Sequence, residues 1–356
     1  MNDAERIFTG SRTQRAEPEL PAPLEPQLRE NGQYLPSEAM QNAVEVALLL
    51  GQPLLLTGEP GTGKTTVAAA LAHERFGGHF LEMQVKSTSG RDDLLYRIDE
   101  LARFRDAQPG RTQRPLIDYI EFRPLGEAIL RACDPQTPLL HRSGRELHAD
   151  EKFLDDVFGA ARPRRVPVVG DLLPEARDWT GPTRYVVLID EIDKAPRDMP
   201  NDLLEEFDRM AFAIPEADLR VKPQKDAKRP IVIVTSNSEK SLPDAFLRRC
   251  AFHHIAFPED DLELTAIVRS RLGKLRIERL GDLLELFRLW RAKLQRRPGT
   301  AELLQWLELA GTSDSIAAAR SRRDMEKPLE RLVHVIAKQE ADLTSARSIL
   351  EDWASA

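Results

Sequence analysis

The sequence predicts an α/β protein, a parallel sheet flanked by helices, followed by a smaller all-helical domain. Three observations carry this. An apolar run from Pro53 to Thr57 leads straight into a glycine-rich turn and a helix-forming segment. Two further continuous apolar runs, Tyr185 to Ile189 and Ile231 to Thr235, have the unbroken hydrophobicity of strands buried on both faces. Beyond Asp261 the strand signals cease and helical periodicity takes over. Strands that alternate with helical patterns build doubly wound sheets.

Residues 1–32 hold Pro18, Pro21, Pro23 and Pro26 among charged residues and lack apolar periodicity, so they are expected to form a flexible leader, either an inert tail or a recruitment segment. The α/β domain is expected over residues 33–258. Ser37 can cap a helix whose apolar positions Met40, Val44 and Leu48 fall on one face, and Gly51 can end it. The strand at Pro53 to Thr57 then runs into Gly58, Glu59, Pro60, Gly61, Thr62, Gly63, Lys64, Thr65 and Thr66, which contain the phosphate-loop pattern G-x-x-x-x-G-K-[ST]. Glycines let successive backbone N–H groups turn inward around a β-phosphate, a Lys neutralises β- and γ-oxygens, and a hydroxyl holds Mg²⁺. Strong helix formers from Thr66 to Arg75, ended by Gly77 and Gly78, place that anion on a helix N-terminus.

A second strand is expected over Phe80 to Val85, and a mixed segment over Asp93 to Phe104. The strand at Tyr185 to Ile189 ends in Asp190 and Glu191, the one at Ile231 to Thr235 ends in Ser236 and Asn237, and a fifth covers Phe252 to Phe257. Lys64 and Asp190 are 126 residues apart, about twice the roughly 60 residues that two strand–helix crossovers take. The extra material is expected at about residues 133–183, an insert rich in Arg and Pro that stands out from the sheet, either a solvated excursion or a surface for substrate or partner. From 259 to 356 a helical domain is expected. Its apolar stripes are Leu283, Phe287, Trp290 and Leu294; Leu303, Leu307 and Ala310; Leu329, Leu332, Val333 and Ile336; and Leu343, Ile349, Leu350 and Trp353.

Composition narrows the function. A formal charge of −7 argues against a chain that coats nucleic acid or an anionic membrane surface, so neither is expected as a partner. Two cysteines, Cys133 and Cys250, are too few for a disulfide framework or a four-thiolate zinc site. No apolar run approaches the roughly 20 residues that span a bilayer, and the first residues are polar and acidic. A cytoplasmic location is expected.

Ligands of open α/β sheets bind beyond the carboxyl ends of the strands, so Asp190, Glu191 and Asn237 should emerge near Lys64 and Thr65. Hydrolysis of a nucleoside triphosphate then assigns roles: Thr65 and Asp190 to Mg²⁺, Glu191 to polarising the attacking water, Asn237 to orienting water or γ-phosphate. Leu242 to Cys250 is expected to form a short capped helix carrying Arg248 and Arg249, which can offer a guanidinium to a neighbouring site and would make hydrolysis depend on assembly. Base contacts are expected outside the loop, near Tyr34 and Leu35, which do not distinguish ATP from GTP.

Glu59 to Thr65, Leu188 to Ala195 and Leu242 to Cys250 together resemble MoxR-type ATPases of the AAA+ class, P-loop NTPases of the group with an insert in the second helix. The likeness runs from about Leu35 to Trp306. It implies an AAA+ core with an all-α lid, ATP and Mg²⁺ as ligands, a homo-oligomeric and hexameric ring, and remodelling of a protein client, with a von Willebrand-type domain protein as one such partner. By the same likeness Lys64 and Thr65 are Walker A residues, Asp190 and Glu191 Walker B, Asn237 the first sensor, and Arg249, with Arg248 as the alternative, the arginine finger. Where the family shows Pro-Ser-x-Arg at the start of a lid helix, this chain has Pro298, Gly299, Thr300 and Ala301, which leaves Arg296 and Arg297 as the nearby cations. Two other functions stay open: a slow nucleotide-dependent switch or scaffold, and a nucleic-acid-linked defence ATPase supported by the cluster from Arg162 to Arg165.

Overall fold

The computed structural model describes residues 34–356 except 110–113, 149, 161–164, 177, 238–241, 274–276 and 278. The leader at 1–32 and Arg162, Pro163 and Arg164 lie outside the described residues. By packing, the described chain forms two units, one from 36–58 and 64–255, the other from 34–35, 59–63 and 256–356.

The first unit opens with α1 (Glu38–Leu50), where the Ser37 hydroxyl accepts the Met40 N–H at 3.2 Å and Gly51, at φ 62°, ends the helix. Met40 and Ala47 are buried and Val44 and Leu48 half-buried, the face the spacing predicts. There follow β1 (Leu54–Gly58), α2 (Lys64–Arg75) and β2 (Phe80–Gln84). Next come α3 (Asp92–Leu95), β3 (Tyr96–Ile98), α4 (Glu100–Asp106), β4 (Ile120–Phe122) and α5 (Pro124–Ala132). Strand β5 (Leu140–His141) and helix α6 (Glu151–Phe158) precede β6 (Val186–Asp190). The unit closes with β7 (Phe212–Ile214), β8 (Leu219–Val221), β9 (Ile231–Ser236), α7 (Asp244–Leu247) and β10 (Ala251–Ile255).

Five strands form one sheet in the order β10-β1-β9-β6-β2, every pair parallel. The middle strands β1, β9 and β6 are buried along nearly their whole length, which is why their sequences are continuous rather than alternating apolar runs. The edge strands β2 and β10 expose alternate residues.

The added length between Lys64 and Asp190 has two sources. Antiparallel β3 and β4, with α4 between them, divide α3 from α5. The second source, residues 133–183, does not stand out from the sheet as expected. Leu139, Leu154, Phe158, Val169, Leu172 and Trp179 join the same buried cluster as Val187 and Ile189 of β6, and β5 adds to a small antiparallel sheet in the order β5-β8-β7. Burying side chains of this size is worth about 1.5–3 kcal/mol each, which outweighs the polarity of the intervening Arg and Pro residues.

The second unit contains α8 (Asp261–Leu272), α9 (Leu280–Lys293), α10 (Thr300–Gly311), α11 (Arg322–Ile336) and α12 (Glu340–Ser355). The apolar stripes read from the sequence are its core, with Leu343 half-buried at the edge. Trp290 and Trp306 meet edge to face with ring centroids 5.1 Å apart, and the Trp290 indole donates to the Ala346 carbonyl at 2.9 Å. No described helix is long and apolar enough to cross a membrane.

Candidate functional site

Strand β1 delivers Gly58 to a turn in which Gly61 and Gly63 take φ values of 80° and 88°, a region that L side chains reach only with strain. Two left-handed glycines three and one residues before Lys64 fold the backbone back on itself, and α2 starts at Lys64, so the turn sits at the positive end of a twelve-residue helix. The Thr62 hydroxyl donates to the Glu59 carbonyl at 2.9 Å and closes the turn. A Cβ added to Gly63 would meet the Tyr34 ring at 3.7 Å, and burial pushes the Tyr34 hydroxyl up to about 12.

Lys64 is buried, and its Nζ donates to the Gly58 carbonyl at 2.8 Å and to Asn237 Oδ1 at 3.0 Å. Burial lowers its pKa against the opposing pull of Asp190, Asp193 and Glu191. Thr65 Oγ1 donates to Asp190 Oδ1 at 3.5 Å, and the Asn237 N–H donates to Asp193 Oδ1 at 3.1 Å. The structure therefore brings Lys64 to Asn237 and Thr65 to Asp190, two hydrogen-bonded pairs at the carboxyl ends of β1, β6 and β9.

Glu191 lies one residue past β6 at φ 59°, ψ 48°. That left-handed turn lets two neighbouring carboxylates serve one region, although consecutive strand residues point apart. The turn is fixed by Thr235, fully buried on β9, whose hydroxyl accepts the Glu191 N–H at 2.9 Å and donates to Asp190 Oδ1. The Glu191 carboxylate accepts from Gln84 Nε2 at 2.8 Å and from Lys194 Nζ. The Lys194 bond, more than the Gln84 bond, holds its pKa below the usual carboxylate value against partial burial.

Thr235, Gln84, Lys194 and Asp193 were not among the residues predicted for the site. Thr235 could have been found from parallel pairing, since the register of Ile189 with Val234 puts the next residue of β9 beside Asp190. Gln84 follows likewise from its pairing with Asp190. Arg249 is not gathered with the loop: its guanidinium bonds Asp208 at 3.4 Å and the Ala245 carbonyl at 3.2 Å, and the side chain is 46 % exposed. Arg248 is exposed as well.

In the second unit the turn has partners of its own. Arg291 Nη2 lies 2.6 Å from Glu59 Oε2, and the Ala301 N–H donates to the Gly61 carbonyl at 3.1 Å. Arg296 and Arg297 are exposed, and Arg296 uses its backbone N–H to bond Asp342 at 3.1 Å.

Residues 54–123 match the model of the ATPase family associated with various cellular activities (AAA). Among curated proteins, the replication factor C small subunit of Thermoplasma volcanium is 42% identical over 60 residues, covering 16% of this chain and 19% of that protein. The protein of the same name from Archaeoglobus fulgidus is 44% identical over 54 residues, 14% of this chain and 17% of its own length. The chain thus spans less than a fifth of the length of these relatives. The five-stranded parallel sheet with flanking helices, the matched AAA ATPase segment and the helical part that follows make the fold an AAA+ core with an all-α lid.

Proposed function

We propose that this chain is a magnesium-dependent ATPase of the MoxR type, working as a homo-oligomeric, hexameric ring that remodels or activates a protein client. The observation that supports it is the pairing of Lys64 with Asn237 and of Thr65 with Asp190 at the strand ends, directly after a glycine turn in the chain, with Glu191 one residue past β6. Hard oxygen donors on Thr65 and Asp190 fit Mg²⁺, which keeps several waters and takes few protein ligands. Bound there, the ion would neutralise β- and γ-oxygens of the nucleotide.

Lys64 exchanges the Gly58 carbonyl and the Asn237 amide for phosphate oxygens. Glu191 accepts a proton from the attacking water as the water oxygen bonds the γ-phosphorus and the bond to the β,γ-bridging oxygen breaks. Asn237 orients that water or the γ-phosphate. Arg249, or Arg248 in its place, reaches the phosphates of a neighbouring subunit, and the base is contacted near Tyr34 and Leu35.

Steady-state hydrolysis and ATP binding in Glu191→Gln test the reading. Loss of about a hundredfold or more in rate with binding retained is expected. A second reading, the slow nucleotide-dependent switch, is favoured by Glu191 being held by Lys194 and Gln84; ATP binding with an unchanged rate in Glu191→Gln would select it. The nucleic-acid reading has less support, because Arg165 of the basic stretch is already engaged by Asp171 at 2.8 and 2.9 Å.

A further inference from the structure

The phosphate loop carries a carboxylate. Glu59 follows Gly58 directly, inside a turn whose glycines, Lys64 and helix N-terminus all favour an anion. A fixed negative charge in such a turn opposes the binding that the rest of the turn supports. Arg291 answers it. From α9, 232 residues downstream, its Nη2 meets Glu59 Oε2 at 2.6 Å. Its Nη1 donates to the Pro298 carbonyl at 2.8 Å, and the guanidinium lies 3.8 Å from the centroid of the Phe257 ring.

The Arg291 side chain is only 15 % exposed and that of Glu59 42 %, so the arginine is the fixed partner and the carboxylate is drawn to it. The planar fork suits this arrangement, since it holds a carbonyl and a carboxylate with different nitrogens while its face covers an aromatic ring. Beside it the Ala301 N–H holds the Gly61 carbonyl at 3.1 Å. The two contacts tie the turn at residues 59 and 61.

We propose that Arg291 is a positioning residue for triphosphate binding, the counter-ion that cancels the charge of Glu59 and fixes the phosphate-loop turn. The inference rests on the ATPase reading above and assigns a role to a cation outside the motifs of that reading. Two effects are separable. Loss of a mere packing strut would not be repaired by losing the second partner too, whereas loss of a counter-ion would, because the second change removes the charge that Arg291 had offset.

The test is calorimetric binding of ATP with Mg²⁺ to the full chain, with KM and kcat measured alongside. Arg291→Ala is expected to raise Kd and KM by about tenfold, the scale of one uncompensated charge partly screened by solvent, with a smaller change in kcat. Arg291→Lys, which keeps the charge without the fork, and the double variant Arg291→Ala with Glu59→Gln are both expected to bind more tightly than Arg291→Ala. If Arg291→Ala does not fold, Arg291→Gln removes the charge at similar volume and carries the same comparison. Wild-type affinity in Arg291→Ala, or a double variant no tighter than Arg291→Ala alone, overturns this role and leaves the ATPase reading standing. A wild-type protein that takes up no nucleotide overturns both.

Discussion

Glu191 occupies a backbone region that costs a non-glycine residue about 1–3 kcal/mol, held there by the Thr235 hydroxyl. Its charge is set by a neighbour three residues on, Lys194, whose bond is the chief reason its pKa is depressed. A depressed pKa keeps the carboxylate ionised as pH falls, so activity that needs the base persists to lower pH and is lost only as pH drops through that pKa. Removing Lys194 raises the pKa. The acid limb of kcat/KM in Lys194→Ala is therefore expected to move to higher pH, and pH profiles of the two proteins check it; a limb that stays put contradicts the pairing. The phosphate loop and the strand-end residues Asp190, Glu191 and Asn237 were legible because each is a local signal, a motif or a polar residue ending an apolar run. Arg291 was not, because its meaning depends on a contact 232 residues away and its sequence context is an ordinary amphipathic helix.

Among the elements, those read correctly from sequence are those whose burial leaves a pattern. The strands β1, β6 and β9 are buried on both faces and show as apolar runs, and the lid helices show as stripes. The pieces that escaped are short and paired at a distance: β5 pairs with β8 some eighty residues on through two residues of its own. The division of α3 from α5 escaped for a different reason, since it depends on contact. At Gly126 an added Cβ would lie 1.8 Å from the Leu95 carbonyl oxygen, so α5 can approach α3 only without a side chain there. Gly126→Ala is expected to destabilise the first unit by about 1–3 kcal/mol through forced backbone movement. Denaturant unfolding measures it, and a variant as stable as the wild type would show that the approach of these helices is not constrained at this residue.

For the whole molecule, the site as found in one chain contains a phosphate loop, two carboxylates and an amide but gathers neither Arg248 nor Arg249. Arg249 is half-exposed and lightly tied to Asp208, which suits a side chain offered outward. If neighbours supply the guanidinium, Arg249→Ala and Glu191→Gln fail for different reasons at the same kind of interface, and mixing the two inactive proteins should restore part of the hydrolysis rate. Mixtures that remain as inactive as either alone would contradict a shared site for this pair of residues. The acidic balance of −7 is no obstacle to such assembly, since the charges that matter are local.

The central claim is that the glycine turn and Lys64 hold a triphosphate. Its most direct measurement is titration of the wild-type chain and of Lys64→Ala with ATP in the presence of Mg²⁺, followed by calorimetry. One saturable site per chain in the wild type, weakened about a hundredfold or more by the substitution, is the predicted result; no uptake by the wild type, or equal uptake by both proteins, contradicts it.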